Sequence, residues 1–273
     1  MAKLKKQHMT IHWKAIVQDD SSIPATEATL KEKATLVGRI GLMMLSVGTG
    51  AWRVRNSMNK VARCLGITCT ADIGLLAISY TCIEGTDTYT QSISNPTTGV
   101  NTHKLMQLEL FMKEFPDKVS TYSVKHIHEV LDEIQKLPAN YKAWNLGLAS
   151  ALACGAFTFL LGGGPVEMCC AFLGAGVGNF VRKKMLGHSI SLLANVAVSV
   201  AASCLVYVLT ILLAQSLLSV SAVHQAGYIC AMLFVIPGFP LITGGIDLAK
   251  LDLRSGLERV SYALLIILTA TMT

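Results

Sequence analysis

Apolar positions in the first part of the chain recur at alternating intervals of three and four. Val37, Ile40, Met44, Val47, Ala51, Val54, Met58, Val61 and Leu65 fall on one such series within residues 26–66. The spacing predicts a helical seam of coiled-coil type, with Gly66 as its stop. Gly41, Gly48 and Gly50 weaken that helix and would admit the close approach of another backbone. Around the turn sequence EGTD at 84–87 the period falls to two, through Ile73, Ile78, Tyr80 and Cys82, so a β-hairpin is expected, ended by Asn95 and Pro96. Helices follow over 102–115 and 124–137, the second with Ser123 as N-cap. After Lys142 the alternation gives way to long uncharged runs. Segments 143–163, 165–181, 189–217, 223–246 and 257–273 read as roughly five membrane spans, each needing about 20 mostly apolar residues. The link GGGP makes the first two a tight hairpin. The expected fold class is an α-helical integral membrane protein with about five transmembrane helices, preceded by a small α+β cytoplasmic domain. The expected domains are a flexible N-terminus at 1–25, a cytoplasmic domain at 26–142 and a transmembrane domain at 143–273.

Composition agrees with this division. Only 15% of residues are charged and mean hydropathy is +0.51, against about 25% charged in a soluble domain. Arg182, Lys183, Lys184, Lys250 and Arg254 fall in loops on the same side as the N-terminal region, while the opposite loops hold no Lys or Arg. The basic side should be cytoplasmic, which places the N-terminus inside, the C-terminus outside and the chain in the plasma (inner) membrane. The opening MAKLKKQH has no apolar run behind it and is not a secretory signal.

The chemistry-bearing residues exclude several classes. There is no P-loop, no GxSxG and no paired-carboxylate pattern, so the chain is not expected to be an enzyme; nothing points to nucleic acid or to a cofactor. The eight cysteines include no CxxC and no metal site is expected. Those in the spans read as small apolar side chains, and Cys64, Cys69 and Cys82 should be reduced thiols. His126 and His128, two apart on a helix, cannot chelate together and read as solvated helix surface. Arg39, Arg53 and Lys60 share a stripe read as a solvated face, or as a contact for anionic lipid, an acidic partner or an anionic solute.

Candidate transport residues sit in the apolar half. Pro237 and Pro240 break a helix and free backbone carbonyls, and Gly238 admits unusual dihedrals, so Pro237, Gly238, Pro240 and Thr243 are candidate solute contacts. Asn179, after the small-residue strip Gly174, Gly176 and Gly178, is another, although packing is the plainer role for the strip. Glu167 is the acidic residue inside a span and suits a proton carrier, with Asp247 as a second proton-coupling candidate. Asp247 and Arg259 either pair as a gate or simply mark the membrane interface.

The stretch LVGRIGLMMLSVGTGAWRVRNSMNKVARCLGI, with its Gly48-x-x-x-x-Arg53 pattern, resembles the opening of the threonine/serine exporter family. GVNTHKLMQLELFMKEF, LPANYKAW, GGGPVEMCCAFLGAGVGNFVRKK and VIPGFPLITGGIDLAKLDLRSGLERVSYALL are similar to later parts of that family, in the same order. The resemblance covers roughly residues 28–272. It implies a subunit of a secondary exporter of small amino acids (threonine or serine) or of small dicarboxylates; Glu167 makes proton coupling the expectation, and Gly48, Arg53 and Arg259 are candidate structural or gating residues. Long members carry a second membrane half where this sequence stops at Thr273, so the resemblance implies a separate N-terminal-half subunit working with a short membrane-spanning partner. Homo-oligomerisation through the 37–65 seam stays open. A membrane-anchored scaffold or sensor without transport activity is the alternative.

Overall fold

The Val37–Leu65 series is buried throughout, but on two helices instead of one. The computed structural model describes residue 13 and residues 23–94, 99–138, 141–186, 190–218 and 225–273. Most of the 1–25 segment, the hairpin end at Asn95 and Pro96 and the link 219–224 therefore lie outside the described residues. The chain forms two units: Met1–Ala139 with Phe239–Val260, and Asn140–Gly238 with Ser261–Thr273. Residues 239–260, read from sequence as part of the membrane domain, thus group with the N-terminal region.

In the first unit, α1 (Leu30–Ser46) opens with a capping box in which Thr29 and Glu32 satisfy each other's backbone N–H groups. It ends at Val47, and Gly48 takes φ +94°, a left-handed conformation that a side chain disfavours. A Cβ there would also lie 2.9 Å from the Gly99 carbonyl oxygen. Helix α2 (Ala51–Cys64) then packs against α1. The expected single seam is corrected accordingly. Its apolar residues form the inside of a helical hairpin. Gly41 faces the Met58 side chain instead of another backbone.

Three antiparallel strands follow in the order β1 (Thr68–Ile73), β2 (Ala77–Glu84) and β3 (Asp87–Ser94). The expected hairpin is β2–β3. Glu84 pairs with Asp87, and Gly85 at φ +59° leads the two-residue turn, as a type II′ turn requires. Strand β1 was not expected. Helices α3 (Thr102–Lys118) and α4 (Val124–Lys136) complete the layer, with Ser123 capping α4 through the His126 N–H.

Two residues read as solvated are interior. Arg39 and His128 are each 1% exposed. Arg39 Nη1 donates to His128 Nδ1 (2.8 Å) and to the His128 carbonyl (2.9 Å), while Nη2 donates to Asp132 and Gln135. An arginine can only donate, so Nδ1 accepts and the proton of the neutral ring sits on Nε2. Burial first, and then the Arg39 charge, push His128 down to about 3 against the opposing pull of Asp132. Arg53 and Lys60 fit the expected polar face better. Arg53 pairs with Glu109 at the surface and Lys60 donates to the Met112 carbonyl.

The second unit contains α5 (Ala143–Leu160), α6 (Pro165–Met185), α7 (Leu192–Leu218), α8 (Ala226–Ala231) and a 3-10 turn at Leu233–Val235. The chain continues through α9 (Gly238–Ala249) and α10 (Leu253–Met272). Among the described residues, α5 and α7 are long and apolar enough to cross a membrane, with a third span if Ala226–Val235 and Gly238–Ala249 are counted as one broken crossing. Roughly five were expected. Helix α6 falls short because it carries Glu167, Asn179 and Arg182–Lys184, and α10 because Glu258 and Arg259 sit in its first turns. Small residues knit the unit together: a Cβ on Gly147 would lie 3.2 Å from the Gly176 carbonyl, and one on Gly174 would lie 2.9 Å from that of Ser203.

Candidate functional site

Within the first unit, Asp247 on α9 is fully buried and its carboxylate is surrounded by donors. The Ala51 N–H approaches both oxygens at 3.0 and 3.1 Å, Ser255 Oγ donates at 2.9 Å, and Arg259 Nε lies 3.2 Å away. The N-cap of α2 is Gly50, which has no side chain to offer. Asp247 supplies that missing cap from 196 residues further along the chain, and its charge also suits the positive end of the helix. A Cβ on Gly50 would sit 2.9 Å from Asp247 Oδ1, so this position must stay bare.

Arg259, 3% exposed, completes the arrangement. Its Nη2 donates to the Thr49 carbonyl (2.8 Å), Nε also reaches Ser255 Oγ (3.1 Å), and Nη1 lies 3.5 Å from Thr243 Oγ1. The pair therefore holds the backbone on both sides of Gly50. Arg55–Asp252 (2.7 Å), Arg254–Asp72, the Leu75 N–H on Glu258 (2.6 Å) and Lys250 over the Trp52 ring fasten the rest of 247–260 to the same fold. Of the residues singled out from sequence, Gly48, Thr243, Asp247 and Arg259 come together here. Arg53 does not join them.

The second unit holds a different polar set. Asn195, Ser199, Ser203 and Tyr207 recur every four residues along the mostly apolar α7, and all four are buried. Ser203 donates to the Ala231 carbonyl (2.7 Å) and Asn195 Nδ2 to the Arg182 carbonyl (3.2 Å). Asn195 Oδ1 and the Tyr207 hydroxyl have no hydrogen-bond partner among the described residues. Glu167, 6% exposed, stands in the first turn of α6 behind Pro165, where the helix dipole favours a carboxylate. Glu167 and the Tyr207 hydroxyl both crowd Gly227, where a Cβ would come within 2.9 Å of Glu167 Cβ. At a rise of about 1.5 Å per residue, Glu167 and Arg182 stand about 22 Å apart along α6, so a polar line runs through most of the unit. The sequence reading missed the α7 series. The signal for it is polar residues at helical spacing inside a long apolar run.

The Pro237 break spends its carbonyls within the chain. Gly238 N donates to the Ile236 carbonyl (2.9 Å) instead of to that of Phe234, and Arg182 Nη1 takes the Phe234 carbonyl at 3.0 Å. Pro240 lies in the first turn of α9, where a missing N–H costs no helical bond. Asn179 donates to the Leu146 carbonyl (2.9 Å) and to Ser150, joining α6 to α5.

Residues 35–273 match the family model described as "Putative threonine/serine exporter". The chain is similar to the "Probable succinate transporter subunit YjjP" of Klebsiella aerogenes, 25% identical over 230 residues that cover 83% of this chain and 85% of that one. It is similar as well to the protein of the same name from Escherichia coli K12, 24% identical over 229 residues, 84% of this chain and 86% of the other. No solved structure matches significantly.

Proposed function

The chain belongs to the threonine/serine exporter family, and from that we propose that it is one subunit of a proton-coupled secondary exporter of small carboxylate solutes. Threonine, serine and a dicarboxylate such as succinate are the solutes that the family and the named relatives suggest. The observation that carries the reading is the line of buried polar residues Glu167, Tyr207, Ser203, Ser199 and Asn195, with half-buried Arg182 at its end, in a mostly apolar helical unit. Polar groups at membrane depth are costly and are kept where a solute or ion passes. In this reading Arg182, which has no carboxylate partner among the described residues, meets the solute carboxylate beside the Pro237–Gly238 break. Asn179 is a further solute-contact candidate in the same unit, and Pro240 and Thr243 are candidates on α9. Glu167 carries the proton, while Asp247 and Arg259 act as a clamp on the N-terminal unit, with Gly48 at its edge and Arg53 on its surface.

The word "subunit" in the relatives' names supports a short membrane-spanning partner. We expect vesicles containing the chain with that partner to move labelled succinate or threonine, and vesicles with either alone not to. Equal flux from the single chain would sink the two-subunit reading, and no flux from any combination would favour a scaffold or sensor. The proposed topology is five crossings, counting α6 and α10, with the N-terminus in the cytoplasm and the C-terminus outside. A C-terminal reporter active only in the cytoplasm would overturn it.

A further inference from the structure

We propose that the N-terminal unit carries a second binding site, separate from the solute path, for a small carboxylate held between Arg39 and Lys104. A cavity of about 90 Å³ opens between α1, α3 and α4, lined by Trp13, Arg39, Val47, Lys104 and Leu108 among others. Arg39 is almost wholly buried, and four of its five N–H bonds are committed to His128, Asp132 and Gln135. The fifth, on Nε, is buried and has no partner among the described residues. A buried donor left unmet is expensive, and a carboxylate oxygen is the acceptor that suits a guanidinium.

The charge balance points the same way. Asp132 offsets Arg39, but Lys104 has no carboxylate partner among the described residues; its ammonium donates to the Gln135 carbonyl (2.7 Å) and keeps two further N–H bonds. The site therefore holds one positive charge in excess. Ser46 and Gln135 add polar wall to an otherwise apolar lining that includes the Trp13 ring, with the Arg39 guanidinium 5.7 Å from the ring centre. A cavity of about 90 Å³ suits a short-chain acid and not a nucleotide. Val47, on the cavity wall, is two residues from Thr49, whose carbonyl Arg259 holds. An occupied site would thus stiffen the α1–α2 turn that the Asp247–Arg259 clamp grips.

The test uses the full chain purified in detergent, titrated calorimetrically with acetate, succinate and L-threonine, with potassium chloride at matched ionic strength as control. At least one carboxylate should bind saturably with one-to-one stoichiometry, and chloride should not. Lys104→Gln, at a half-exposed position, should keep the unfolding midpoint and weaken that binding about tenfold, as loss of a charged hydrogen bond does. Trp13→Leu should weaken it as well without touching a charge. Absence of saturable heat with all three acids would overturn the inference. So would binding that survives Lys104→Gln but vanishes in Glu167→Gln, since it would then belong to the solute path. Failure of export in vesicles would leave this result unaffected.

Discussion

Asp247→Ala should destabilise the N-terminal unit by about 3–5 kcal/mol, the cost of breaking a buried ion pair from one side. Two losses combine. Arg259, 3% exposed, would keep its charge without a carboxylate, and the Ala51 N–H would lose its cap, worth about 1 kcal/mol by itself. An internal comparison is available in Glu109→Ala, which removes the surface pair with Arg53 and should cost under about 1 kcal/mol. Unfolding midpoints of the full chain in detergent would separate the two. Hydrogen exchange should localise the Asp247→Ala effect to the first turn of α2. Adding Arg259→Leu should recover part of the loss, because no buried charge is then stranded, and the departure from additivity measures the coupling. If Asp247→Ala behaves like Glu109→Ala, the clamp contributes nothing and Asp247 returns as a candidate proton site.

That clamp shows where the sequence stops being informative. The apolar series from Val37 to Leu65 is legible because burial follows its spacing, and every member is indeed interior. Its folding into a hairpin is not, because Gly48, Thr49 and Gly50 read locally as a weak helix. Only the positive φ of Gly48 and the distant Asp247 turn that weakness into a break. Ser123 and the Glu84–Asp87 turn were readable because caps and two-residue turns are written in adjacent residues. Strand β1 was missed since Thr68–Ile73 buries only alternate side chains of mixed chemistry and is recruited by β2. Arg39 and His128 defeat any surface reading for a similar reason: each is tolerable inside only because the other is there, 89 residues away. In the membrane half, Glu167 stood out as an acidic residue inside an expected span. The α7 series is quieter, since serine and tyrosine scarcely lower the hydropathy of a long run.

Glu167→Gln should abolish export driven by a pH gradient, by at least about tenfold, while solute exchange at equal pH on both sides is partly retained. The argument starts from the cost of burying a charged carboxylate, since Glu167 is 6% exposed. A protonated carboxyl escapes most of that cost, so the charge state of Glu167 can follow the side of the membrane to which it is open. Glutamine fixes the neutral form with nearly the same shape. It therefore keeps the buried packing against Gly163, Gly164 and Gly227 and removes the titration. Tyr207→Phe is the companion variant. It takes away a hydroxyl that has no hydrogen-bond partner among the described residues, so it should leave the unfolding midpoint unchanged. If that hydroxyl passes the proton or meets the solute, flux should fall; if it only fills space, nothing should change. Counterflow of labelled solute and gradient-driven flux, measured on the same reconstituted pair, distinguish the outcomes. Loss of both in Glu167→Gln would make Glu167 part of the solute site. Gradient-driven flux equal to wild type would end the proton-coupling proposal and leave Glu167 as a residue at the mouth of the path.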